Sequence, residues 1–171
     1  VYDVNIPDFP VYKNTQMLPF ESNGLFIRDK KAYVTGLNAH LSIIDVSDVS
    51  KLPIIGTYTN GVKFYEPFVD GNIAYLPQGS TGVQVLNITK LPFPEYTTNL
   101  FARKSAKQVV ASNFYIWVAD DKSIEGFFNK EGGAYYFTGN YKNDKVINRI
   151  AVIEGKYLFL ATADKKLKVL K

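Results

Sequence analysis

The chain has 171 residues, 46% of them hydrophobic, with 20 Lys and Arg against 16 Asp and Glu and a net charge of +4. That is enough apolar material for one domain with a true core, which sets disorder aside. The lysines are scattered and form no polybasic block, and with no cysteine there is neither a disulfide scaffold nor a thiolate metal site.

No apolar run is long enough, at about 18 residues, to span a bilayer as a helix. The first residues, VYDVNIPDFP, lack the basic start and apolar stretch of a signal peptide, and a chain that begins with valine is expected to have been processed or cut. Tyr and Phe number 12 each beside one Met and one Trp, a bias that favours pleated sheet.

The sequence repeats itself. Tyr33, Tyr75, Trp117 and Phe159 are spaced 42 residues apart, each between apolar neighbours. Seven residues earlier stand Phe26, Phe68, Val110 and Val152; ten residues later stand Ile43, Val85, Phe127 and Val169. The phase extends back to Val1, Tyr2 and Asp3, which match Ile43, Ile44 and Asp45.

In chain order, each unit predicts strands A, B and C and a less regular strand D. Strand A (GLFI, PFV, QVVA, IAVI) turns through RDKK, DGN, SNF or EGK into strand B (AYV, AYL, IWV, LFL). Strand C follows as HLSIID, GVQVLN, SIEGFFN and KLKVLK, and strand D as PIIGTYT, EYTTN and YYFTGNY. FARKSAKQVV also suits a helix, but Val109 and Val110 fall in phase with strand A, which rejects that reading for its second half. Residues 1–21 make a partial unit, 22–62, 63–104 and 105–145 complete ones, and 146–171 a second partial one.

Four short strands cannot stand alone, whereas stacked units cover one another's faces. A period of about 40 to 45 residues with four strands predicts an all-β fold, a β-propeller of four-stranded blades. About four repeats are present, plus three residues. Either the N-terminal C and D strands complete the last blade and close a four-bladed ring, or the chain is an arc of a larger one. The arc is favoured, because Val1–Asp3 would compete with Val169–Lys171 for one place.

AYVTGLNAHLSIIDVSDVSKLPIIGTYTN and its weaker copy AYLPQGSTGVQVLNITKLPFPEYTTN resemble the LVIVD-repeat β-propellers, relatives of the YVTN-type surface propellers. The resemblance is good over residues 22–100 and fades after them. It implies a propeller of an exported, cell-surface or periplasmic protein, with no common reaction and no catalytic residues to carry over.

Asp3, Asp45, Asn87 and Asn129 share one phase at the end of strand C. Asp and Asn have in common a short acceptor side chain that bonds a backbone N–H two residues on, so a repeated turn is expected rather than a calcium loop at Asp45 and Asp48. The same turn accounts for the sequon Asn87-Ile88-Thr89. His40 is the sole histidine, which removes multi-histidine metal sites; it and Asp120-Asp121 are expected in hairpins. Tyr33, Tyr75, Trp117 and Phe159 are expected in the core. Tyr58, Tyr65, Tyr96 and Tyr136, at strand ends and edges, are candidate ligand-facing residues for sugars or a protein. Lys165, Lys166, Lys168 and Lys171 form a basic strand edge without the interleaved aromatics of a nucleic-acid groove.

These features point to a non-enzymatic module without a cofactor, whose partners are proteins such as other blades, subunits or surface proteins. Two alternatives stay open: a carbohydrate-binding propeller using exposed tyrosines, and an exported oxidoreductase with a cofactor in its channel.

Overall fold

The structure is a computed structural model that describes every residue except Pro7, Arg103, Lys104, Glu131, Gly132 and Glu154. Among the described residues all regular structure is β. A two-residue pair, β1 (Tyr2–Asp3) and β2 (Val11–Tyr12), comes first. Blade 1 is β3 (Ser22–Arg28), β4 (Lys31–Gly36), β5 (His40–Asp45) and β6 (Ile54–Thr59). Blade 2 is β7 (Phe68–Asp70), β8 (Ile73–Pro77), β9 (Val83–Asn87) and β10 (Glu95–Leu100). Blade 3 is β11 (Gln108–Ser112), β12 (Tyr115–Ala119), β13 (Ser123–Lys130) and β14 (Ala134–Lys142). Blade 4 has three strands, β15 (Ile147–Ile153), β16 (Tyr157–Thr162) and β17 (Leu167–Leu170).

Within each blade, consecutive strands pair antiparallel in sequence order, the up-and-down meander of a propeller blade. The A–B turns are tight because they accept positive φ: Asp29 and Lys30 in blade 1, Gly71 in blade 2 and Asn113 in blade 3. Gly155 does the same in the last turn, whose Glu154 lies outside the described residues. The segment FARKSAKQVV contains Arg103 and Lys104, also outside them; its second half is β11.

The first strands lie closest to one another, β3 beside β7, β7 beside β11 and β11 beside β15. Gly24 makes the first approach practicable, since a Cβ there would come within 2.6 Å of the Glu66 Cα. Polar side chains then stitch neighbouring blades. Arg28 donates to the Val69 carbonyl and to Asp70 Oδ1, both at 2.9 Å. Gln108 donates to the Asn148 carbonyl at 2.9 Å and accepts the Ile150 N–H at 3.0 Å. Arg149 of blade 4 reaches Glu66, just before blade 2.

The cores lie between blades. Tyr33, Leu41 and Ile43 of blade 1 meet Val69, Ala74 and Leu76 of blade 2 and Phe64 just before it. Tyr75, Val83 and Val85 meet Ala111, Ile116 and Val118 of blade 3. Val110, Ala119 and Ile124 meet Ile150, Leu158 and Leu160 of blade 4. Each such side chain contributes about 1.5–3 kcal/mol on burial, which orders sheets too small to persist alone. A fourth cluster covers the opposite face of blade 1, where Leu18 and Phe20 pack on Ala32, Val34, Ile44 and Leu52.

Two departures from the 42-residue phase appear. Tyr33 pairs with Ile43, Tyr75 with Val85 and Phe159 with Val169, but Trp117 pairs with Gly126 rather than Phe127. Strand C of blade 3 is slipped by one residue, which turns Phe127 toward blade 2. The expected core aromatics also differ: Tyr33 and Tyr75 are buried, whereas Trp117 and Phe159 are half-buried. Each projects toward the following blade, and no described strand follows blade 4.

Ile43→Ala is therefore expected to cost about 3 kcal/mol in urea unfolding, the middle of the range for a buried aliphatic side chain. Phe159→Ala is expected to cost less than about 1.5 kcal/mol, well below a fully buried Phe; equal losses at the two positions would contradict the open face of blade 4.

Candidate functional site

The repeated acids build turns. Asp45 Oδ1 accepts the Ser47 N–H at 2.8 Å, Asn87 Oδ1 the Thr89 N–H at 2.9 Å, and Asp3 Oδ1 the Asn5 N–H at 3.0 Å. Asp48 makes a further such turn, taking the Ser50 N–H at 3.0 Å and the Ser50 hydroxyl at 2.6 Å. These bonds, with Lys51, hold the Asp48 carboxyl down to about 2, and Ser47 lowers Asp45 below the usual carboxylate range. Asn129 departs from the pattern: the register slip carries it into the ladder opposite Tyr135, and its buried Oδ1 finds no hydrogen-bond partner among the described residues. Asp120 accepts the Lys122 and Ser123 N–H groups, and Asp121 pairs with Lys107 at 2.7 Å. Among the described residues no group of three His, Cys, Asp or Glu stands ready for a metal ion.

His40 is half-buried and stacked on Phe20 with ring centroids 5.2 Å apart. The four candidate tyrosines do not form one surface. Tyr58 is half-buried, its hydroxyl taking a 2.7 Å hydrogen bond from Gln84, which also accepts from Asn60 and Gln78. Burial raises its pKa. Tyr65, also half-buried, carries the Lys63 ammonium over its ring at 5.0 Å. Tyr96 and Tyr136 are exposed, on β10 and β14 of different blades.

A concave site lies between blades 3 and 4. One row across blade 3 reads Val110, Trp117, Gly126, Gly139 on neighbouring strands, so its outer half has no side chains. The matching rows are Phe26, Tyr33, Ile43, Gly56 in blade 1 and Phe68, Tyr75, Val85, Thr98 in blade 2. Two facing glycines floor a cleft of about 260 Å³, lined by Trp117, Ile124, Tyr141, Leu158, Leu170 and Lys171. A Cβ on Gly139 would meet nothing within 4 Å. Lys168 at the rim donates to Asn143 Oδ1 at 2.6 Å.

The cleft is therefore apolar on its walls and cationic at its rim, and β17, which pairs with β16 alone among the described strands, lies along one side. Sequence reasoning missed it because the 42-residue phase sets Phe127 in the place that Gly126 takes. The available signal was the glycine in SIEGFFN where the other strands carry Ile43 and Val85.

The repeat family can now be settled. Residues 22–60, which are strands β3 to β6 of blade 1, match the LVIVD repeat. The chain is a β-propeller that carries an LVIVD repeat. In fold, this LVIVD-repeat propeller is similar to the crystal structure of the computationally designed Ika4 protein, with a TM-score of 0.73 and 10% identity over 92% of this chain and 94% of that one. It also superposes on the computationally designed Ika8 protein, with a TM-score of 0.66 and 11% identity over 86% of this chain and 45% of that one. The LVIVD-repeat propeller thus covers less than half the length of the Ika8 chain. Comparison with curated protein sequences gives no match.

Two outcomes test this description. Gly139→Ala should be neutral or stabilising by up to about 1 kcal/mol, as an unstrained Gly replacement with room for its methyl group; a loss of more than about 1 kcal/mol would show the cleft floor to be filled. For Asp48, a folded pKa near 2 against about 3.9 unfolded means that its contribution is complete above about pH 5 and disappears as pH falls through 2. The stability gap between the native chain and Asp48→Ala, followed by thermal unfolding, should accordingly narrow as the pH is lowered from 5 to 2.

Proposed function

We infer that this chain is a non-enzymatic binding and assembly module of an exported or cell-surface protein. The observation that carries the reading is the apolar cleft between blades 3 and 4, lined by Trp117, Leu158 and Leu170, with Ile153, Leu167 and Val169 exposed on the other face of blade 4. Exposed apolar groups that form a contiguous patch are surfaces that other polypeptides cover. The acids of the repeat are engaged in turns, and the tyrosines are spread over separate blades, so neither set converges on a small substrate. Export is supported by the kinship of the repeat with surface propellers.

A photoreactive residue at position 167, introduced in the native host, should yield covalent adducts with polypeptide that Val169→Asp removes. The tagged chain should be recovered outside the cytoplasm. Recovery in the cytosol alone would overturn the location. Failure to form any protein adduct, together with substrate turnover that substitutions near the channel abolish, would overturn the module in favour of an enzyme.

A further inference from the structure

We propose that the end of blades 3 and 4 that carries the β12–β13 and β16–β17 turns docks on an anionic lipid bilayer through Lys122, Lys142, Lys145 and Lys165. The inference goes beyond the polypeptide module, which uses the cleft and the other face of blade 4, and does not depend on it.

The first support is a platform of fixed shape. At this end lie residues 120–122 between β12 and β13, 143–146 between β14 and β15, and 163–166 between β16 and β17. Backbone hydrogen bonds tie each connection to the next. The Asn143 N–H donates to the Lys122 carbonyl at 2.8 Å, the Ile147 N–H to the Asp121 carbonyl at 2.7 Å, and the Ala163 N–H to the Val146 carbonyl at 2.9 Å. The buried Asn143 side chain adds a bond to the Lys145 carbonyl at 2.7 Å. Lysines mounted on these connections act together on one surface.

The second support is the charge left over. Asp120 accepts the Lys122 and Ser123 N–H groups of its own turn, and Asp121 is held by Lys107 at 2.7 Å. Asp144 faces Lys168 at 3.4 Å, and Asp164 faces Lys166 at 3.3 Å and takes the Thr162 hydroxyl at 2.6 Å. Each acid of the three connections is thus engaged. Lys122, Lys142, Lys145 and Lys165 are exposed and form no ion pair among the described residues. The excess is local, because the equivalent turns of blades 1 and 2, residues 37–39 and 78–82, contain no charged side chain.

The third support is the backbone of Lys165. Its φ of 62° is left-handed, a conformation that suits glycine better than lysine. Ala39 has the same place in blade 1 at φ 63°, and there the side chain is buried. Lys165 is exposed, so neither burial nor an ion pair offsets the strain.

The apolar side chains beside these lysines select a bilayer among anionic partners. Val146, next to Lys145, is 38% exposed, and Phe101 is 78% exposed in the β10–β11 connection that Lys107 fastens to Asp121. A soluble polyanion is held by cations, whereas a bilayer also takes apolar side chains into its headgroup region. Each lysine near an anionic leaflet contributes about fivefold to partitioning.

Flotation with vesicles of phosphatidylglycerol in phosphatidylcholine tests the proposal. At about 0.1 M salt, where the Debye length is about 10 Å, the chain should float with these vesicles and not with pure phosphatidylcholine. At about 1 M salt, where that length is about 3 Å, it should be released. Lys142→Gln and Lys145→Gln should each lower partitioning about fivefold. Lys165→Gly should do the same while keeping or raising the unfolding temperature, which separates lost charge from lost fold. The chain has no cysteine, so Val146→Cys, and Phe93→Cys at the opposite end, can each carry one polarity-sensitive dye. Emission at position 146 should shift to the blue on anionic vesicles, and emission at 93 should not. No flotation at 0.1 M salt, equal binding to neutral vesicles, indifference to the lysine substitutions or a shift at 93 alone would each overturn the proposal. Retention on heparin beads without flotation would also overturn it, in favour of a soluble polyanion. Polypeptide adducts at position 167 should persist in Lys145→Gln, so that either reading can fail alone.

Discussion

The architecture depends on one constraint: each blade is apolar on both faces, so no blade is stable without a neighbour on each side. Along the chain that requirement is met three times by side chains of the same type, Tyr33 and Ile43 against Val69 and Leu76, then Tyr75 and Val85 against Ala111 and Val118, then Val110 and Ile124 against Ile150 and Leu160. The polar stitches at Arg28 and Gln108 fix the lateral position of blades whose apolar contacts alone would tolerate sliding. On blade 1 the requirement is met in part by Leu18 and Phe20, and on the far side of blade 4 it is unmet among the described residues. Stability in such an array is a sum of blade and joint contributions, so the ends carry the deficit.

Much of this was legible in the sequence because a repeat samples one physical environment several times. The period of Tyr33, Tyr75, Trp117 and Phe159 located strand B in every blade, and the hairpin register of Tyr2 and Tyr12 follows the same phase. The turn chemistry of Asp3, Asp45 and Asn87 was legible for the same reason, since an Asx turn is a local event that needs no knowledge of the fold. What could not be read was anything set by neighbours in space. Phase assigns Phe159 the environment of Tyr33, but burial also requires a following blade. Nor does phase register a slip: SIEGFFN fits the pattern with either Gly126 or Phe127 opposite Trp117, and only the paired strand β14, with Gly139 facing Gly126, selects the first. Edge position in sequence likewise does not tell which edges converge, and Tyr58, Tyr96 and Tyr136 lie on strands of three different blades.

The slip and the partial cover of blade 4 among the described residues act on the same joint, and together they make it the weakest of the three. Phe127, displaced toward blade 2, enlarges the core between blades 2 and 3 at the expense of the one between blades 3 and 4. What holds blade 4 is then Ile147, Ile150, Leu158 and Leu160, with Trp117 and Leu170 only partly covered beside the cleft. A unit held by fewer buried contacts opens before the rest of the molecule, and its amides should be the first to exchange. A strand laid against β17 would oppose that opening twice, by pairing the edge and by burying Trp117. Any occupant of the cleft would for that reason be coupled to the ordering of the last blade, and would bind more weakly by whatever the ordering costs.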